Sequence, residues 1–434
     1  MMSAALSETM QTSTMESLQC HFNWDLEPTS RLLQLRDKLK DIGTEEGNRW
    51  LGHIYNLQGF IQYKLGFNED AKSLFSKAAE AFHELRHADE GPWLLVNYGN
   101  LAWLHYHLGD EAESQAYLSK VDALMKNHPS PSQGELHPEV YAEKAWTLMY
   151  FAADRKVVAD YFEKAIRMQP DMVEWNTSHV IGLVSAHKHS DAGVEDDLLE
   201  KMRHAKEQDP ENVYLAALYL EQLAKKGARV EAEIFQLANK VLRSPVSSYS
   251  GMKAVLRLYR NYISVNEAID LAEKALEEHP DERYLKMCVA LCYRWKIIHF
   301  SDGCHRQSIL DKAICLYEDL LSLYPHFSLM KEIDLASLYA KSSDHKAKAE
   351  QIYQQLLDRD LEPAEKQVLY NHYAYYLFYD RKDSKGSVQY HMKAAEITQQ
   401  SFYKENSIKL LETIRDKGKH PMCQEIKEFL KKDE

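Results

Sequence analysis

Glycine and proline are scarce in this 434-residue chain, at 16 and 12 residues, against typical usage of about 7% and 5%. Long helices tolerate that scarcity, but it leaves little material for glycine-rich loops that cradle nucleotide phosphates. Neither G-x-x-x-x-G-K-[ST] nor G-x-S-x-G occurs, so the phosphate-loop and nucleophile-elbow chemistries are excluded, and no catalysis is expected. Long apolar runs are missing too. No stretch approaches the ~20 residues of a membrane span, and the polar start (Ser3, Ser7, Thr9, Thr12, Ser13) lacks the apolar centre of a signal peptide. A cytosolic protein without a membrane partner is expected. Positive charge is in deficit as well: the net charge of −13 argues against a generic DNA or RNA coat, which needs a broad basic surface. Residues 381–434, with 12 Lys and Arg against 9 Asp and Glu, form a modestly basic end.

Cysteines are few, at positions 20, 288, 292, 304, 315 and 423. Cys288 and Cys292 lie one helical turn apart, with Cys304-His305 following, so a zinc set is conceivable. Small buried thiols in a reducing compartment account for the same spacing and are the reading preferred.

What the chain does have is a recurring helix-pair pattern. Gly59, Gly66, Ala71, Phe75 and Ala78 return at the same offsets as Ala102, Gly109, Ser114, Leu118 and Val121, with Tyr63 echoed by Tyr106. Small residues at a helix crossing and larger ones beneath it are the marks of a tetratricopeptide repeat. A unit of about 34 residues cannot bury its own apolar face and must stack on its neighbours. The expected fold is therefore all-α: a tetratricopeptide-repeat superhelix, or α-solenoid, of about eight helix-pair units around a central concave channel.

Along the chain, residues 1–15 read as a disordered N-terminus, 16–245 as an N-terminal repeat array, 246–400 as a C-terminal array and 401–434 as a charged helical cap. Repeats run from about Tyr55 to Leu85 and from Val96 to Leu124, and a third ends in Tyr161, Phe162, Ala165 and Pro170. Regularity weakens near 176–200. Better units return with Ala268, Ala272, Ala275 and Pro280, then with Ala313, Tyr317, Leu320 and Pro325, and with Ala349, Tyr353 and Leu356. The last, near 370–395, is crowded with aromatics.

Most of the 26 Tyr and 7 Trp sit at helical spacings, where aromatics pack between repeats. Trp146, at the start of a repeat, is a candidate for the channel, where base stacking contributes ~1–3 kcal/mol per base. Lys253, Arg257 and Arg260, spaced by four and three, put three cations on one helical face, with no carboxylate between 252 and 266. That stripe suits a phosphate or a solvated surface, and the neighbouring Tyr259 suits a stacking face or a core.

Longer strings carry a more specific signal. Asn97-Tyr98-Gly99-Asn100-Leu101-Ala102-Trp103-Leu104-His105-Tyr106-His107-Leu108-Gly109, Cys20-His21-Phe22-Asn23-Trp24, Tyr161-Phe162-Glu163-Lys164-Ala165 and Leu291-Cys292-Tyr293-Arg294 closely resemble the interferon-induced proteins with tetratricopeptide repeats. The resemblance covers about residues 16–400. It implies a cytosolic antiviral effector that holds the 5′ end of foreign single-stranded RNA, triphosphorylated or capped, and blocks its translation. Homologues and the translation initiation machinery would be its protein partners, and no cofactor is required beyond a Mg ion bridging RNA phosphates.

Carried over residue by residue, the resemblance implies RNA contacts at Trp146, Lys253, Arg257, Tyr259, Arg260 and Tyr284. Gln34 and Lys38 are approximate counterparts on the first helix, and Asp334 would help to hold the metal. The chain departs from the family elsewhere: Tyr150 replaces a Lys, Ser185 falls where an Arg is expected with Lys188 nearby, and Ala254 and Met287-Cys288 replace channel residues. Two missing phosphate-binding cations would remove charged hydrogen bonds of ~1.5–3 kcal/mol each. The alternative function is a protein-interaction scaffold that uses the aromatic stretch 370–379.

Overall fold

The computed structural model describes residues 13–26, 31–42, 48–86, 91–151, 155–186, 193–299, 306–326 and 329–431. These residues form helices and the turns between them, with no strand among them. Two compact units divide the chain, Met1–Leu258 and Tyr259–Glu434. The boundary lies within the helical run that follows Ser244-Pro245, not at that break.

The first unit opens with α1 (Leu32–Lys40) and continues in pairs: α2 (Leu51–Lys64) with α3 (Asn68–Arg86), α4 (Leu95–His107) with α5 (Glu111–Asn127), and α6 (Pro138–Phe151) with α7 (Arg155–Met168). Then come α8 (Val173–Ala186) with α9 (Asp196–Gln208), α10 (Val213–Lys225) with α11 (Glu231–Val241), and α12 (Met252–Leu258). The repeat positions explain the pairing. A Cβ on Gly59 would stand 2.7 Å from the Phe75 ring, so only glycine lets α2 and α3 cross this closely while Phe75 fills the gap. In the next pair Ser114, completely buried, donates its hydroxyl to the Ala102 carbonyl at 3.0 Å. Side chains also fix where helices begin: Asp110 accepts from Glu113 N, and Asn212 from Leu215 N.

Two expectations change. The weak stretch near 176–200 contains a further helix pair, α8 with α9, buried through Trp175, Val180, Val184, Met202 and Ala205. The structured chain also starts earlier: residues 13–17 form a helical turn with Met15 completely buried, while residues 1–12 lie outside the described residues. From there Cys20–Trp24 is threaded into the first unit. His21 N donates to Asn100 Oδ1 at 3.1 Å, Asn100 Nδ2 lies 3.0 Å from His21 Nδ1, and His21 Nε2 lies 3.2 Å from Thr147 Oγ1. One residue of the lead-in thus ties α4 to α6.

The second unit begins with a π-helical turn, Tyr259–Ile263, followed by α13 (Val265–Glu278), α14 (Arg283–His299), α15 (Arg306–Leu323), α16 (Leu329–Lys341) and α17 (Lys346–Leu357). α18 (Pro363–Tyr379) starts with a capping box between Glu362 and Glu365 and with Pro363 in its first turn, and pairs with α19 (Ser384–Glu396). The expected charged cap contains two packed helices, α20 (Phe402–Lys417) and α21 (Cys423–Leu430), which bury Leu411, Met422, Ile426 and Leu430 with Val388 of α19. Among the described residues no helix is long and apolar enough to cross a membrane.

Candidate nucleic-acid interface

In the first unit a row of aromatic and charged side chains links four helices. Trp146, on α6, is only 1% exposed and stacks on Trp50 with ring centres 5.6 Å apart, the planes inclined by 15°. Tyr150, one turn on, meets the same indole edge-on at 5.0 Å. Lys38 of α1 places its ammonium 4.8 Å from the centre of the Tyr150 ring, a cation–π distance. The Tyr150 hydroxyl is hydrogen-bonded to that of Tyr249, which also interacts with the Trp146 indole. Burial, with the adjacent Tyr249 hydroxyl, pushes the Tyr150 phenol well above its ordinary pKa.

Tyr249 holds its place because the loop before α12 is pinned at both ends. Ser247 donates its hydroxyl to the Ile42 carbonyl, and Ser248 N donates to the Asp41 carbonyl at 2.6 Å. Gly251 adopts φ 88°, and a Cβ there would stand 2.8 Å from Tyr214 N at the start of α10. Both facts demand glycine. Tyr214 extends the row, close enough to feel Tyr249 and Arg257 electrostatically. Arg257 then closes on Glu221 of α10, with Nε at 3.0 Å and Nη2 at 2.6 Å from the same carboxylate oxygen.

The structure therefore brings Lys38, Trp146 and Arg257 into one row through Tyr150, Tyr249 and Tyr214. Gln34 is half-buried on α1, and Lys253 lies exposed on α12. Lys253 and Arg257 share α12, whose α-helical geometry ends at Leu258, while Arg260 belongs to the π-helical turn that opens the second unit. Trp146 is a packed core residue stacked on Trp50, and an incoming base could reach its ring only if that stack rearranged.

Within the second unit, Arg260 lies over the Trp295 ring at 4.8 Å, and Tyr259 and Tyr284 are 6% and 3% exposed. Asp334, on α16, has Oδ1 2.8 Å from Arg294 Nε and accepts at Oδ2 from the Tyr317 hydroxyl at 3.1 Å. Both carboxylate oxygens are thus engaged. No group of three His, Cys, Asp or Glu that could hold a metal forms among the described residues. Cys288 and Cys292 are buried, and burial pushes the Cys292 thiol up to about 11. Cys304, His305 and Lys188 lie outside the described residues.

Behind Trp50 the first unit is acidic but mostly uncharged. Glu143 is 2% exposed, and burial raises its carboxyl to about 8, opposed by the Asn56 amide that donates to Oε1 at 2.9 Å. Burial raises Glu139 well above the carboxylate range and holds His53 well below its ordinary pKa. Glu174 is the exception, paired with Arg86 and, at 3.4 Å, with Arg49.

No protein-family profile matches the chain. Individual proteins do. The antiviral innate immune response effector IFIT1 of Macaca fascicularis is 29% identical over 423 residues, covering 92% of this chain and 86% of that protein. Human IFIT1 is 27% identical over 421 residues, with the same coverage. Human interferon-induced protein with tetratricopeptide repeats 2 is 26% identical over 421 residues, covering 93% and 86%. Among solved structures, a human IFIT1 dimer with PPP-AAAA matches with a TM-score of 0.70 at 26% identity, covering 94% of this chain and 90% of the other. All of these similar proteins are IFIT proteins. A monomeric IFIT1 mutant with Gppp-AAAA gives a TM-score of 0.74 at 25% identity, covering 94% and 92%.

Against that IFIT background the departures acquire a structural meaning. Tyr150 is the ring on which Lys38 rests, so a cation from α1 lies beside the position where the resemblance implied a Lys. Sequence reading missed Tyr214, Tyr249, Glu221, Arg294 and Trp295. Only Gly251, a lone glycine just ahead of the basic helix, hinted that the preceding loop approaches another backbone closely. One string also has a metal-protease spacing: His83-Glu84-Leu85-Arg86-His87 reads H-E-x-x-H. His83 is exposed at the end of α3 and His87 lies outside the described residues.

Proposed function

We propose that this chain is an antiviral effector, belonging to the interferon response, that binds the 5′ end of foreign single-stranded RNA and blocks its translation. The observation that carries the reading is its similarity, over more than nine-tenths of its length, to IFIT1 structures containing PPP-AAAA and Gppp-AAAA. The row from Lys38 to Arg257 supports it with the two ingredients single-strand binding uses, cations for phosphate and aromatic faces for bases. Its proposed contacts are Gln34, Lys38, Trp146, Lys253 and Arg257 in the first unit. Tyr259, Arg260 and Tyr284 are proposed separately in the second.

A Mg ion, where RNA phosphates supply most of its ligands, would have to draw Asp334 away from Arg294 and Tyr317. Homologous proteins and the translation initiation machinery are the proposed protein partners, and the cytosol the proposed compartment. The scaffold alternative is not favoured by the comparisons.

The test is an electrophoretic shift series on one RNA carrying 5′-triphosphate, Gppp cap or 5′-hydroxyl. Tighter binding of the first two is expected. Lys253→Ala should weaken them several-fold and lower the slope of log affinity against log salt by about 0.7. Equal retention of all three RNAs, or none, would overturn the reading.

A further inference from the structure

We infer that Glu221 is a specificity-determining residue of this RNA site: an internal competitor that occupies Arg257 and must be displaced before a 5′ phosphate can use that cation. The inference rests on the proposed RNA binding and adds a residue to it. Arg257 is the cation at the far end of the row that begins at Lys38, and Tyr214 sits beside it. Its guanidinium sends both Nε and Nη2 to Glu221 Oε2, at 3.0 and 2.6 Å. The pair is well screened from water: the Glu221 side chain is 11% exposed and that of Arg257 26%.

An ion pair so placed is strongly coupled, because little water screens it. A phosphate approaching Arg257 meets a neutralised cation, and it also meets the carboxylate, which repels it. The penalty grows with the charge the RNA end brings. Glu221 therefore weighs most against a 5′-triphosphate and least against a 5′-hydroxyl.

The pair is local to the first unit. Glu221 comes from the α10 ridge and Arg257 from α12, both held in register by the close approach of Gly251 to Tyr214. Removing the carboxylate should thus release Arg257 without moving the backbone that carries it.

Equilibrium binding of 5′-triphosphate and 5′-hydroxyl forms of one RNA should be measured with the full chain as wild type, Glu221→Gln, Glu221→Ala, Arg257→Met and the Glu221→Gln/Arg257→Met double variant. Thermal melts would confirm that each is folded. Glu221→Gln and Glu221→Ala should bind the triphosphate RNA about tenfold tighter, the hydroxyl RNA no more than about twofold tighter, with a salt slope steeper by about 0.7, one single-strand phosphate contact. In the Arg257→Met background the Glu221 substitution should gain no more than about twofold, the part owed to direct repulsion by the carboxylate. If the folded Glu221 variants bind the triphosphate RNA as wild type does, or if the full gain survives without Arg257, the inference falls while RNA binding stands. If no variant and no wild-type protein binds either RNA, the functional reading falls and takes the inference with it.

Discussion

The two units solve the same problem, polar groups inside a helix-pair stack, with different chemistry. The first keeps the side chains behind Trp50 mostly neutral, although Glu174 pairs with Arg86 and Glu221 with Arg257. His21 is fully buried, and burial lowers its pKa to about 3 despite the Asn100 amide; with Asn100 donating to Nδ1, the proton sits on Nε2 and faces Thr147. Asn97 donates to Asn56 Oδ1 at 2.8 Å and to the Phe75 carbonyl at 2.9 Å, and Asn56 passes the chain on to Glu143. The second unit keeps charge instead: Arg294 and Asp334 face each other at 2.8 Å, with Tyr317 on the remaining oxygen. A neutral ladder distributes its cost over many weak bonds and responds to pH. A buried ion pair is indifferent to pH near neutrality but fails if one partner is lost.

The largest effect that would break the contrast is in the second unit. Asp334→Ala strands the Arg294 guanidinium and should destabilise by ~3–5 kcal/mol, whereas Asp334→Leu with Arg294→Met should recover most of it. Urea-dependent hydrogen exchange of the α14 and α16 amides in the otherwise unaltered chain would read this; similar losses for single and double variants would refute it. In the first unit Asn97→Leu leaves the Asn56 oxygen and the Phe75 carbonyl without their donor and should cost ~1–3 kcal/mol. Fluorescence of the six first-unit tryptophans in the parent chain would report it.

The smallest effect is a pH dependence that should sharpen the comparison. Below 6.5 the unfolded chain protonates His21 while the folded chain does not until about 3, so stability falls as pH drops through that window. Glu143 has the opposite sign. Between 4.5 and about 8 the folded chain retains a proton that the unfolded chain has lost, so stability declines as pH rises across that range. First-unit unfolding midpoints should stay roughly level between about pH 4.5 and 6.5, where the two slopes cancel, and fall from there towards about pH 8; Glu143→Gln should flatten that alkaline fall. An unchanged alkaline slope in that variant would assign it to other groups.

The repeats were legible because the crossing constraint is local: Gly59 above Phe75 and Ala102 above Ser114 leave a fixed spacing in the chain. The pair α8 with α9 was not, because the connection between its helices disturbs the offsets while Trp175 and Met202 supply the burial. Spacing also cannot say which way a side chain points. Trp146 has the periodicity of either a channel residue or a core residue, and it stacks on Trp50. Nor could the cation stripe reveal its own neutralisation, since Glu221 lies 36 residues from Arg257 in sequence and meets it only through the packing of α10 on α12. The π-helical turn that carries Arg260 leaves no mark in a pattern read with a period of 3.6.

One contact changes how the first unit must behave mechanically. A stacked array normally flexes like an open spring, since each repeat touches only its neighbours. Here the carbonyls of Asp41 and Ile42 are clasped by Ser248 and Ser247, the latter pair separated by 205 positions along the chain. The spring becomes a hoop with a hook. Two hydrogen bonds of ~0.5–1.5 kcal/mol each are far weaker than any repeat core, so under strain the hook lets go first, and the hoop gapes with every helix pair intact.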